Sequence, residues 1–101
     1  MNAFGVHGCS ITTALTAQNT RGVQAVDPVS EFMLHAQFQA LKTDLPPAAI
    51  KTGMLGSAVS CKIVAAFLDQ IQVSDLRSPV PLICDPVLKS TSGSDLLDPE
   101  A

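Results

Sequence analysis

The chain predicts an α/β fold built on a parallel sheet with flanking helices. Three observations lead there. Three short apolar runs, at residues 10–15, 48–52 and 82–85, have the length and β-branched content of buried strands. Two longer segments between them carry apolar residues at helical spacing. The resulting order, strand, helix, strand, helix, strand, implies parallel strands joined by right-handed crossovers.

The elements follow in chain order. Residues 10–15 are rich in β-branched side chains and end in a polar stretch, residues 16–22, that reads as a loop. Gly22 is placed there to supply a positive φ. Residues 23–26 read as a short extended segment. Pro28 and Ser30 announce a helix over residues 30–44. Leu34, Phe38, Leu41 and Leu45 give it an apolar stripe, and Pro46 and Pro47 end it, because proline has no amide proton to donate.

The second strand is expected at residues 48–52, and residues 53–56 form its loop. Ser57 is placed to cap a second helix over residues 57–72, because its hydroxyl accepts from a free first-turn amide. Ile63, Val64, Phe67, Leu68 and Ile71 line one face of that helix. Residues 74–81 are polar, carry two prolines and read as a connection. The third strand, residues 82–85, stops at Pro86. Residues 90–94 read as a flexible loop centred on Gly93, and residues 95–101 as the entry to a helix near Asp98.

The bulk properties exclude several classes. The 101 residues suffice for one small domain, and 47% hydrophobic content argues for a packed core. Net charge is −3, and the six Lys and Arg form no basic patch for nucleic acid. No apolar run approaches the ~18 residues of a membrane span. The N-terminus lacks the charge and apolar pattern of a signal peptide. Cys9, Cys61 and Cys84 form no Cys-x-x-Cys pair, which fits reduced thiols in the cytoplasm. Cys61 and Cys84 are expected to be buried as small hydrophobes. His7 and His35 are isolated, and no metal site is expected.

The chemistry-bearing residues cluster where apolar runs give way to polar ones, and α/β sheets bind ligands at the carboxyl ends of their strands. These places are Ala14-Leu15-Thr16-Ala17-Gln18-Asn19-Thr20, Lys51-Thr52-Gly53-Met54-Leu55-Gly56 and Asp85-Pro86-Val87. The Gln18 amide offers one acceptor and two donors in a plane, which suits a planar ligand that presents both. A loop glutamine bonding to backbone is the plainer reading of the residue alone. The Met54 thioether suits an aromatic ring, and equally a core position. Asp85 ends a buried strand and needs a partner or a polar crevice; a structural role and a site role remain equally open. Lys51 poses the same question.

The three stretches resemble the hydroxymethylpyrimidine and phosphomethylpyrimidine kinases of thiamine synthesis. That resemblance runs over nearly the whole chain, which covers less than half of such an enzyme. It implies a partial ribokinase-like fold, residues 1–101 being one incomplete kinase domain. It implies phosphoryl transfer from ATP, with Mg²⁺, to a hydroxymethyl aminopyrimidine and its monophosphate. Gln18, Met54 and Val87 then match residues that contact the pyrimidine, and Asp85 lies in the vicinity of substrate or Mg-ATP. A homodimer of the complete enzyme is a further implication.

The family's opening glycine-rich strand has no match here, nor does its C-terminal ATP-binding half with the catalytic residue of a glycine-rich turn. No catalytic residue is therefore assigned, and the chain alone is expected to be inactive. Two other readings stand beside this one: a non-catalytic α/β binding module, and a fragment of a pyridoxal kinase-like enzyme. The Ala17-Gln18-Asn19-Thr20 and Lys51–Leu55 stretches favour the thiamine branch over the latter.

Overall fold

A computed structural model of the chain describes residues 1–74, 79–90, 93, 95 and 96. After a single 3-10 turn at Asn2–Phe4, the elements run β1 (Ala14–Asn19), β2 (Gly22–Pro28), α1 (Glu31–Asp44), β3 (Ile50–Thr52), α2 (Ala58–Ser74) and β4 (Leu82–Cys84). The α/β class is as expected. β3 and β4 pair in parallel, Ile50 with Leu82 and Thr52 with Cys84, on either side of the α2 crossover.

Both helices start, and α1 also stops, where their sequence signals lie; α2 runs to Ser74, two residues past the expected end. The Met33 amide donates to the Ser30 hydroxyl at 3.3 Å, which satisfies one orphan donor of α1. The Leu45 amide closes the last turn on the Leu41 carbonyl, and Pro46 follows. The Ser60 amide donates to the Ser57 hydroxyl at 3.1 Å, and that hydroxyl donates in turn to the Ser60 hydroxyl. Ser60 is thereby buried without an unmet polar atom.

The core lies between the helices. Leu34 and Phe38 of α1 meet Ile63, Val64, Phe67 and Ile71 of α2, and Leu34 is fully buried. The Phe38 and Phe67 rings sit 4.1 Å apart between centroids, tilted by 31°. Ile11, Val29, Ile50, Leu55, Leu68 and Val80 pack around this cluster. The stripe of α1 is shorter than its spacing predicts: Leu41 is half-buried, and Leu45 is exposed because it caps the helix.

The first expected strand is the main correction. Residues 10–13 belong to no strand, and the region expected to be a loop is an antiparallel ribbon. β1 runs through Gln18 and pairs with β2 across a turn at Thr20 and Arg21. Gly22 closes that turn with φ 143°, the positive value expected of it. The sheets are thus two-stranded, β1–β2 and β3–β4, and two strands are parallel instead of three. Thr12 keeps its backbone satisfied by other means. The Thr12 amide donates to Gln37 Oε1 at 2.9 Å, and Gln37 Nε2 donates to the Thr12 carbonyl at 3.0 Å. One side-chain amide on α1 therefore does for Thr12 what a neighbouring strand would do.

Two further expectations are corrected. Cys84 is exposed and Cys61 is half-buried, so neither is a fully buried hydrophobe; both are free, as is the exposed Cys9. His7 and His35 are exposed. Parts of the expected connection at residues 74–81 and of the loop at residues 90–94, and the expected helix entry near Asp98, lie outside the described residues. Around Gly93, φ 89°, the chain turns back so that Lys89 and Asp95 bridge antiparallel.

Candidate functional site

β3 and β4 deliver three of the expected residues to one end of the parallel sheet. Met54 lies two residues beyond β3 and is half-buried. Asp85 follows β4 directly, and Val87, also half-buried, comes two residues later. The Asp85 amide donates to the Thr52 carbonyl at 3.1 Å, extending the ladder one step past Cys84. Lys51 Nζ and Asp85 Oδ2 lie 3.0 Å apart, each side chain about half exposed. The partner that Lys51 and Asp85 each need is therefore the other.

The loop carrying Met54 is tied to the start of the ribbon. The Thr13 hydroxyl donates to the Met54 carbonyl at 2.6 Å. Gly56, two residues on, takes φ 81°, and a Cβ there would lie 3.8 Å from Cβ of Ala14. Space is available at Gly56, so its glycine serves the left-handed backbone that starts the turn into α2. Sequence reasoning did not single out Thr13. Its signal is slight, a hydroxyl among β-branched residues just before the ribbon.

Gln18 is placed differently from expectation. It lies within β1, not in a loop after a strand end, and it is exposed. Among the described residues no hydrogen bond joins it to the Met54 or Val87 loops. Its strand is nonetheless anchored to the Met54 loop through Thr13, the residue before β1. Of two surface clefts, one of about 370 Å³ lies between the first turns of α1 and α2, lined by Val29, Ser30, Leu34, Ser57 and Ile63 among others. The other, about 460 Å³, is lined by the first residues of the chain and residues 8–10. Gln18, Met54, Asp85 and Val87 line neither.

The described residues hold no cluster that suits a metal ion. Among them no group of three or more His, Cys, Asp and Glu side chains is arranged to hold a metal ion. Asp85, the acid at the sheet end, is already paired with Lys51. No described helix is long and apolar enough to cross a membrane.

Loops gathered beyond the carboxyl ends of parallel strands, beside a β-ribbon, define an α/β domain of the kind that binds small molecules. A crystal structure of phosphomethylpyrimidine kinase from Clostridium difficile 630 superposes on 99% of this chain with a TM-score of 0.81 at 38% identity, and the match covers 41% of that protein. The fold is thus that of a ribokinase-like enzyme, in part. The family model described as phosphomethylpyrimidine kinase matches residues 1–101, and the chain belongs to that family. A hydroxymethylpyrimidine/phosphomethylpyrimidine kinase of Rhizobium meliloti (strain 1021) is 43% identical over 99% of the chain. The thiamine biosynthesis multifunctional protein ThiED of Corynebacterium efficiens is 40% identical over 98% of it. The chain spans about 35% of the length of the Rhizobium relative and 13% of the Corynebacterium one.

Proposed function

We propose that the chain supplies the pyrimidine-binding part of a hydroxymethylpyrimidine/phosphomethylpyrimidine kinase of thiamine biosynthesis. Residues 1–101 are then one portion of a ribokinase-like kinase domain. The observation that carries this reading is the family match over every residue of the chain, with relatives of that name at about 40% identity.

In this reading Gln18 hydrogen-bonds the amine and ring nitrogen of the aminopyrimidine through its planar amide. Met54 and Val87 lie against the two sides of the ring, where thioether and aliphatic contacts suit an aromatic face. Their half-buried places just past β3 and β4 support that assignment. Asp85 acts near the substrate or the nucleotide with Lys51 holding its carboxylate. The phosphoryl donor is ATP with Mg²⁺, which in such enzymes carries the transferred group and spreads its charge. Among the described residues no cluster of acids, His or Cys is arranged to hold the metal ion, so no step through it is assigned to them. The complete enzyme is cytoplasmic, consistent with three free cysteines, and a homodimer.

A competition measurement tests the reading. The 101-residue chain is titrated with 4-amino-5-hydroxymethyl-2-methylpyrimidine and, separately, with pyridoxal. Saturable binding of the pyrimidine, with pyridoxal at least about tenfold weaker, is the expected result. The reverse preference would favour the pyridoxal branch, and binding of neither would remove the pyrimidine site from this chain.

A further inference from the structure

The two strands of the ribbon do not pair evenly. Ala17 stands opposite Ala25, but the next pair is Gln18 and Val23, so Gln24 has no residue opposite it. Such a bulge twists and bends its strand, and bulges often lie beside active sites, where they re-aim a side chain. In an even ladder Gln24 would stand opposite Gln18. Directly opposed residues have Cβ atoms roughly 4.5–5.5 Å apart on one face, within reach of each other's amides. Two such glutamines would bond donor to acceptor and spend the groups a ligand needs. The bulge instead sets Val23 there, half-buried and without a polar side-chain atom.

The neighbouring amides show the contrast. Asn19 Oδ1 accepts from the Arg21 amide at 2.9 Å and shapes the turn. Gln37 is committed on both sides to Thr12. Among the described residues the Gln18 amide has no hydrogen-bond partner.

We propose that Val23 is a positioning residue: placed opposite Gln18 by the bulge at Gln24, it keeps the Gln18 amide unpaired and available to an aminopyrimidine. This rests on the reading of Gln18 as the ligand contact. Simple protection of the ribbon edge would also explain a bulge, but it would give no importance to the apolar character of residue 23.

The test is a titration of the ¹⁵N-labelled 101-residue chain with 4-amino-5-hydroxymethyl-2-methylpyrimidine, following the side-chain amide signals of Gln18 and Gln37. Gln37, tied to Thr12, reports whether the fold around the ribbon is intact. Val23→Gln keeps the chain length and the bulge. It is expected to weaken binding about tenfold, the scale of one or two lost hydrogen bonds, and to shift the Gln18 amide signals before ligand is added. Val23→Thr, nearly isosteric and equally suited to a strand, brings one hydroxyl to the same place; a fall of about threefold is expected, with Gln37 unmoved. Val23→Ile restores binding to within about twofold of the unaltered chain. Full affinity in both polar variants, while Gln18→Ala binds at least tenfold more weakly, overturns the role of Val23 and leaves that of Gln18. Full affinity in Gln18→Ala overturns both.

Discussion

Lys51 and Asp85 join the carboxyl ends of β3 and β4 through an ion pair of 3.0 Å. Lys51 stands on β3 opposite Ile83 of β4, and Asp85 comes two residues after Ile83, just past the strand, so both side chains reach the same face. Both remain about half exposed. Exposed pairs of this kind contribute about 0–1 kcal/mol, because water screens the charges and two long side chains lose freedom. A double-mutant cycle of Lys51→Ala and Asp85→Ala in urea denaturation should give a coupling below ~1 kcal/mol. A coupling well above that would make the pair a structural clamp and weaken the case for Asp85 as a site residue.

Leu34 is the position where truncation should hurt most. It is fully buried between α1 and α2. Leu34→Ala should cost about 2–5 kcal/mol, from lost transfer energy and the cavity left behind. Small domains have only about 5–15 kcal/mol in total. Urea midpoints should therefore fall steeply for Leu34→Ala and hardly at all for Phe32→Ala, whose ring is 79% exposed.

The Gln37 amide stands in for a strand. Gln37→Ala leaves both backbone groups of Thr12 to water. Because Gln37 is only half-buried and both bonds are exposed, water partly replaces them, and the loss should be about 1–2 kcal/mol for the pair. Hydrogen exchange should show the Thr12 amide losing protection while the amides of α2 keep theirs. Unchanged protection at Thr12 would contradict the assigned role.

The two helices and the parallel pair were legible because their signals are local. Ser30 and Ser57 cap where the residue type says they should, and Leu34, Phe38, Ile63, Val64, Phe67 and Ile71 carry the helical period into the core. The ribbon was not legible. Leu15-Thr16-Ala17-Gln18 and Val23-Gln24-Ala25 alternate apolar with polar for only three or four residues each, too briefly to mark a strand, and a ribbon exposed on most of its length buries no apolar face that would lengthen the pattern. The apolar run at residues 10–15 pointed to a strand a few residues too early, since Ile11 packs on the core from a segment whose partner is the side chain of Gln37. Met54 and Val87 lie just past β3 and β4, as their places after apolar runs implied. Gln18 was named for its amide but assigned to the wrong kind of element, and Thr13 and Val23 emerged only from three-dimensional pairing.

A polypeptide limited to residues 1–101 should not turn over. Its described residues include no cluster of three or more His, Cys, Asp and Glu side chains arranged to hold a metal ion, and each missing transition-state donor typically costs a hundredfold or more. A coupled ADP-release assay with the pyrimidine and Mg-ATP should stay at background. Turnover near ~1 s⁻¹, the low end for ordinary enzymes, would show that these residues bind the nucleotide after all.

The central claim, that this chain carries a pyrimidine site reached by Gln18, is tested most directly by calorimetric titration of the unaltered chain, Gln18→Ala and Gln39→Ala with 4-amino-5-hydroxymethyl-2-methylpyrimidine. Gln39 is an exposed glutamine of α1 and serves as the control. The account predicts saturable binding that Gln39→Ala leaves unchanged and Gln18→Ala weakens at least about tenfold. Equal binding by all three chains, or no saturable binding by any, would contradict it.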